Sequence, residues 1–217
     1  MGAVAHSPPG ADRPVSEPTA NTPTGNTYDK YASTNPIERR MMQGFFRSLD
    51  AMLPAEAPRA ILEVGCGEGE ILELLAARYP QARLVGVDLP DDHLRAEWSR
   101  RGVAAEEGDA TALRFADREF DLVLAIEVLE HVPHPQRALA ELARVCTGTA
   151  VLSVPLEPVW RIGNIVRGRY VRQWGNTPGH VNHWGRRSFR RFVATRFEVQ
   201  QVASPLPWTM VRGTVER

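Results

Sequence analysis

Ala60-Ile61-Leu62-Glu63-Val64-Gly65-Cys66-Gly67-Glu68-Gly69-Glu70, followed by Val85-Gly86-Val87-Asp88-Leu89, is the stretch that decides the fold. An apolar run feeds a loop with glycine at every second position, Gly65, Gly67 and Gly69, and a helical pattern opens directly behind it. Without Cβ atoms the loop lets a ligand lie against the backbone, and the amides at the helix start favour negative charge. A second apolar strand then ends in a carboxylate, Asp88, placed where it can accept both hydroxyls of a ribose. A nucleoside-containing cofactor is the expectation. The spacing is G-x-G-x-G, whereas the dinucleotide fingerprint requires G-x-G-x-x-G.

Alternating elements extend outward from this pair. Strands are expected over residues 60–64, 83–88, 103–107, 120–126, 150–154, 197–203 and 208–215. Helices are expected over 28–53, 68–79, 91–101, 136–145 and 187–195, with Pro80 stopping the second and Gly102 the third. Strand-helix alternation implies an α/β fold, a doubly wound and mostly parallel sheet with helices on both faces. With 217 residues and 43% hydrophobic composition the chain can bury one full domain core.

Residues 1–26 hold five prolines among small polar residues and almost no large apolar side chain, so they read as a disordered tail. Deleting them is expected to leave the melting temperature nearly unchanged; a fall of many degrees would show that the segment docks. Residues 27–57 read as a helical cap over the cofactor, 58–217 as the main domain. The 26 basic and 26 acidic residues cancel, which removes the electrostatic signature of nonspecific nucleic-acid binding. Two cysteines, Cys66 and Cys146, make no disulfide framework. No transmembrane stretch or leader pattern is evident, so a cytoplasmic protein is expected.

With Glu63 ahead of its first glycine, Glu63-Val64-Gly65-Cys66-Gly67-Glu68-Gly69 resembles motif I of the class I S-adenosylmethionine (SAM) methyltransferases, of the type-11-like domain. The resemblance continues through Asp88, through Gly108-Asp109-Ala110 and through the strand from Phe120 to Ile126 with its mouth at Glu127, covering roughly residues 58–155. It implies a Rossmann-like, seven-stranded sheet whose last strand is antiparallel. It also implies a SAM site lined by Glu63, Gly65, Cys66, Gly67, Asp88, Leu89, Asp109, Ala110 and Glu127. There the glycines approach the methionine part, Asp88 the ribose and Asp109 the adenine.

The mouth of the fourth strand carries Glu127, Glu130 and His131 as E-x-x-E-H, with His180 and His183 downstream. If residues 127–131 begin a helical turn, Glu127 shares a face with Glu130 and His131. Two carboxylates and two imidazoles suit a divalent ion with sites open for substrate. The pattern resembles small-RNA 3′-terminal 2′-O-methyltransferases and ubiquinone-pathway O-methyltransferases, both of which act on one of two adjacent hydroxyls. That resemblance implies O-methylation of a small polar acceptor of sugar or catechol type. Glu127, His131 and His180 become the catalytic candidates, and Glu127, Glu130, His131 and His180 the ligands of a Mg-like ion. The competing reading makes His131 a direct general base. Methylation at N or C, an RNA or protein acceptor, and a non-catalytic nucleoside-binding partner subunit remain the alternatives.

Residues 155–185 form a long insertion in which Arg161, Arg167, Arg169 and Arg172 alternate with apolar residues. It reads either as an amphipathic helix packed over the sheet, or as a substrate lid that offers arginine to an anion or weakly touches a membrane surface. Trp184 reads equally as core or substrate platform. Before the glycine loop, Arg39 and Arg40 are candidates for the SAM carboxylate, with a solvated helix face as the competing role. A monomer or homodimer that uses no nucleic acid is expected.

Overall fold

Seven strands form one sheet: β1 (Ala60–Val64), β2 (Arg83–Asp88), β3 (Ala105–Glu107), β4 (Phe120–Ile126), β5 (Cys146–Pro155), β6 (Glu198–Ala203) and β7 (Trp208–Thr214). Their spatial order is β3-β2-β1-β4-β5-β7-β6. The first five run parallel, while β7 lies antiparallel to both β5 and β6. The computed structural model describes residues 35–166, 168 and 170–215. The 1–26 tail, the start of the helical cap, Arg167 and Arg169 lie outside the described residues.

Among the described residues six α-helices accompany the strands: α1 (Pro36–Met52), α2 (Glu70–Arg78), α3 (Asp92–Arg101), α4 (Pro135–Val145), α5 (Val159–Val166) and α6 (Arg186–Val193). Side chains on a strand alternate between faces, and β4 shows what this builds. Leu122, Leu124 and Ile126 pack with Phe45, Leu49 and Met52 of α1 and Leu75 of α2. Val123 and Ala125 point the other way, to Leu139 and Leu142 of α4 and Phe189 of α6. Both faces are therefore covered, which is why β4 reads as an unbroken apolar run. α1 is a layer of the core as much as a cap. It starts at Pro36 because the Asn35 side chain accepts the Ile37 amide and Pro36 occupies the first turn.

Among the expected boundaries that move, three have a visible cause or consequence in the sheet, while α1 starts at Pro36 instead of 28 and α6 spans Arg186–Val193 instead of 187–195. α2 begins at Glu70 instead of 68, since Gly67 and Gly69 hold left-handed backbone with φ of +52° and +94°. β3 shrinks to three residues at the sheet edge. β5 starts at Cys146, directly at the end of α4, because pairing with β4 on one side and β7 on the other uses its whole length.

β1 pairs with β2 on one side and β4 on the other: the chain runs outward from β1 through β2 to β3, then crosses back to lay β4 on the far side of β1. Strand order reverses there. In such sheets the crevice outside the carboxyl ends of the strands at that point is where ligands bind. The glycine loop, Asp88, Asp109 and the 127–131 turn all follow the carboxyl ends of β1, β2, β3 and β4.

Candidate functional site

The glycine loop and Asp88 are built as one unit. The Gly65 amide donates to the Val87 carbonyl at 2.6 Å, stitching the loop to the end of β2. The Gly67 amide then donates to Asp88 Oδ2 and the Leu89 amide to Asp88 Oδ1, each at 2.7 Å. On the far side Trp98 of α3 donates its indole N–H to the Gly67 carbonyl at 2.7 Å. The loop is thus fixed before any ligand arrives. A Cβ at Gly65 would meet Val128 Cγ2 at 2.2 Å, so this glycine is demanded by packing against the mouth of β4. At Gly67 a Cβ would meet nothing within 4 Å. That position is open on the side a ligand would occupy.

Electrostatics in this corner are unbalanced. Glu63, on β1, is 2% exposed, and its Oε2 has no hydrogen-bond partner among the described residues. Burial raises its pKa well above the ordinary carboxylate range, and the nearby charges of Asp88 and Glu70 add to that. Asp88 is raised too, by burial, although the Gly67 and Leu89 amides pull it back. A buried Glu63 raised further by the Asp88 charge fits a ligand bringing positive charge. Cys66, between them, is buried and its thiol is pushed far up by burial and by Glu63, so it is an inert packing residue.

Asp109 follows β3. Its Oδ1 accepts the Thr111 amide at 2.7 Å and the Thr111 hydroxyl at 2.9 Å, a local turn that sets the carboxylate's direction. Ala110 is half-buried against the core. Behind this loop Arg144 donates to the carbonyls of Leu113 and Phe115 and to Glu141, which in turn accepts the Leu113 amide. The segment leaving Asp109 is therefore tied to α4.

The mouth of β4 differs from the expected helical turn. Glu127 has left-handed backbone with φ of +61°, and residues 128–132 form turns. That twist aims Glu127 toward β5 and β7, where Ser153 Oγ donates to Oε1 at 3.0 Å and Trp208 Nε1 to Oε2 at 2.7 Å. Glu127 consequently stands apart from the other three members of the expected ligand set. Those three do meet: one ligating atom each of Glu130, His131 and His180 falls within 4.8 Å of the others. The Val181 and Asn182 amides donate to the Glu130 carbonyl, which pins the 180–182 segment to the turn. The Asn182 side chain adds donations to the carbonyls of Leu129 and Val132. His183, the other candidate, points to Glu157, with Nδ1 3.7 Å from Oε1.

His131 Nδ1 lies 3.1 Å from the Gly179 carbonyl. A carbonyl only accepts, so that nitrogen carries the hydrogen. The His180 ring stands edge-on to His131, with centroids 4.7 Å apart, and Trp160 of α5 stacks beyond it at 6.1 Å. Burial, then the proximity of His131 and His183, lowers the His180 pKa from 6.5 to about 3. The unfolded chain therefore takes up this proton first, and the stability His180 contributes is lost as pH falls from 6.5 toward 3. Glu63 and Asp88 act oppositely, because their raised pKa values favour the folded form on acidification. The expected result is a melting temperature that falls less steeply below pH 6.5 in His180→Asn than in the wild type. Identical acid profiles would show that His180 is not held neutral by the fold.

The insertion reaches His180 through Trp160 of α5. Trp160 Nε1 donates to Thr177 Oγ1 at 2.9 Å, and Asn164 donates to the Gly175 carbonyl at 2.9 Å. Contrary to the packed-helix reading, α5 turns Ile162, Ile165 and Val166 outward. Trp184 packs on Phe189 and Phe192 and belongs to the core. Arg39 and Arg40 are exposed on α1.

A family described as "Methyltransferase domain" matches residues 37–201, most of the chain. The chain belongs to that family. Among its relatives is the trans-aconitate 2-methyltransferase of Methylobacterium nodulans, 38% identical over 125 residues, which are 54% of this chain and 48% of that protein. Another is the fatty-acid O-methyltransferase of Mycolicibacterium smegmatis, 37% identical over 103 residues, 46% of this chain and 37% of that one. The matches span about half the length of these relatives or less. A SAM-dependent methyltransferase from Aquifex aeolicus superposes with a TM-score of 0.64 at 13% identity, over 84% of this chain and 94% of that chain. Such a likeness establishes the shared class I methyltransferase fold, which is the one expected from the glycine loop.

The family's sheet explains the positions that sequence reasoning did not find. Trp98, Ser153 and Trp208 each meet the site through contacts 26 to 81 residues apart in sequence. Trp98 gave only a local signal, as an apolar position four residues after Leu94 on α3.

Proposed function

We propose that the chain is a SAM-dependent O-methyltransferase in which the glycine loop and Asp88 hold the cofactor and His131 serves the acceptor. The observation that carries this is the prearranged carboxylate of Asp88, held by two backbone amides next to a glycine whose missing Cβ leaves open space. The donor set fits the cofactor: Asp88 can accept from ribose hydroxyls, and the partnerless Glu63 Oε2 suits a cationic donor. SAM, when bound, supplies a methyl group on a positive sulfonium, so the protein has no donor to activate. Its residues must instead align an acceptor, which can provide about 7–11 kcal/mol of barrier reduction, and remove a proton if the acceptor is a hydroxyl. His131 Nε2 is the base offered for that proton. His180, held neutral, and the buried Glu130 complete an acceptor pocket that the 155–185 insertion covers.

Oxygen as the acceptor atom is supported by the name of the fatty-acid O-methyltransferase relative and by the paired imidazoles. A small acceptor with neighbouring hydroxyls, of sugar or catechol type, matches one base beside a further carboxylate and imidazole. A second reading rests on the grouping of Glu130, His131 and His180 within 4.8 Å. One carboxylate and two imidazoles, at least one of them neutral across the physiological range, are a chemically suitable set for a divalent ion. An ion there would make a chelating hydroxyl more acidic.

Calorimetric titration of the chain with SAM, S-adenosylhomocysteine and NAD tests the cofactor assignment. The first two are expected to bind and NAD to give no heat; binding of NAD in preference to SAM would overturn it.

A further inference from the structure

Helix α5 turns Trp160 and Asn164 inward and leaves most of its aliphatic residues outside. Asn164 is 3% exposed and holds the Gly175 carbonyl and Thr177, while Ile162 is 56% and Val166 80% exposed. Apolar side chains facing water at three- and four-residue spacing are unusual on a surface helix, whose apolar stripe ordinarily faces the core. Trp174 enlarges the surface. It is 78% exposed and sits beside the helix, since its carbonyl accepts from Arg161 Nε at 3.1 Å. Gly175 sits so close to α5 that a Cβ there would lie 2.2 Å from the Arg161 carbonyl and 3.0 Å from Ile165. Ile162, Ile165, Val166 and Trp174 thus form one exposed apolar surface of the kind that marks an interaction site.

Charge narrows the occupant. Residues 158–175, the segment that carries this surface, contain four arginines and no aspartate or glutamate, in a chain whose total charge is zero. Arg172, two residues before Trp174, is exposed. A second copy of the chain docking about a twofold axis would oppose this arginine-rich surface to itself. An anionic bilayer satisfies every part of it: aliphatic side chains enter the acyl boundary, tryptophan sits at the headgroup level and arginines meet phosphates.

We propose that α5 and Trp174 form a docking surface for an anionic lipid bilayer. The inner side of the same helix carries Trp160 against His180, so docking would place the acceptor pocket at the lipid surface. That consequence rests on the methyltransferase reading; the docking itself does not.

Sedimentation of the full chain with vesicles tests it, using phosphatidylcholine alone and phosphatidylcholine mixed with phosphatidylglycerol. The chain is expected to sediment with the mixed vesicles and to remain in solution with the neutral ones. Ile162→Ser with Val166→Ser should weaken partitioning on the order of tenfold, and Arg172→Gln by about fivefold. All these side chains are exposed, so SAM affinity and melting temperature should stay at wild-type values. Failure of the wild type to bind mixed vesicles, equal uptake by neutral vesicles, or full binding by the double variant would overturn the proposal. So would a wild-type dimer that the double variant converts to monomer. If SAM fails to bind the wild type while vesicle binding persists, the methyltransferase reading falls and the docking surface stands.

Discussion

Asp88→Ala is expected to weaken SAM and S-adenosylhomocysteine alike by tenfold or more in calorimetric titration. Each hydrogen bond to a charged group contributes about 1.5–3 kcal/mol, and about 1.4 kcal/mol is a factor of ten. Equal loss for both ligands follows because Asp88 would bind the nucleoside, which methyl transfer leaves unchanged. The substitution also strips the Gly67 and Leu89 amides of their acceptor, so part of the loss comes from a loosened loop. Asp88→Asn separates the two contributions. It keeps an oxygen for one amide but loses the charge, and should fall between wild type and alanine. A melting curve for each variant reports the loop contribution, since the amides are paired in the unliganded fold. Unchanged SAM affinity in Asp88→Ala would mean that the loop has been assigned to the wrong ligand.

The parts of this architecture that sequence displays are those governed by local rules. Strands β1, β2 and β4 begin and end where their apolar runs do, because each is flanked by a loop that demands glycine or a polar residue. Gly102 marks the end of α3 by capping chemistry that acts within a few residues, whereas the Asn35 cap that starts α1 at Pro36 is not apparent in the helical pattern expected over 28–53. The acceptor side is less legible for two physical reasons. Glu127 takes a left-handed conformation that nothing in E-x-x-E-H announces, and the twist separates it from Glu130 and His131. Helical periodicity in α5 shows that one side is apolar but carries no information about which way that side faces. His180 and His183 lie three residues apart in irregular chain, where no period distinguishes them. Only the pairing of residues 181 and 182 with the Glu130 carbonyl decides which imidazole turns inward.

Chelation separates the two readings of the acceptor site, and the largest effect is expected at His131. As general base, His131 should tolerate prolonged EDTA treatment with no loss of turnover, read as S-adenosylhomocysteine formed from a catechol or sugar acceptor. His131→Ala should then cost ~10²–10⁴-fold in kcat, with SAM affinity unchanged. His180→Ala should be mild, since a ring held near pKa 3 takes no proton at neutral pH and acts mainly by packing against His131. Glu127→Gln should disturb the Ser153 and Trp208 contacts more than the acceptor pocket. Metal dependence predicts another pattern: EDTA abolishes turnover while sparing SAM binding, an added divalent ion restores it, and Glu130→Gln and His180→Ala each lose most activity. Glu127 would be the least sensitive acidic residue in that pattern, because it lies outside the group of Glu130, His131 and His180. A carboxylate acceptor needs no proton removed. Turnover indifferent both to EDTA and to His131→Ala would therefore sink the hydroxyl acceptor while leaving the SAM site at Asp88 untouched.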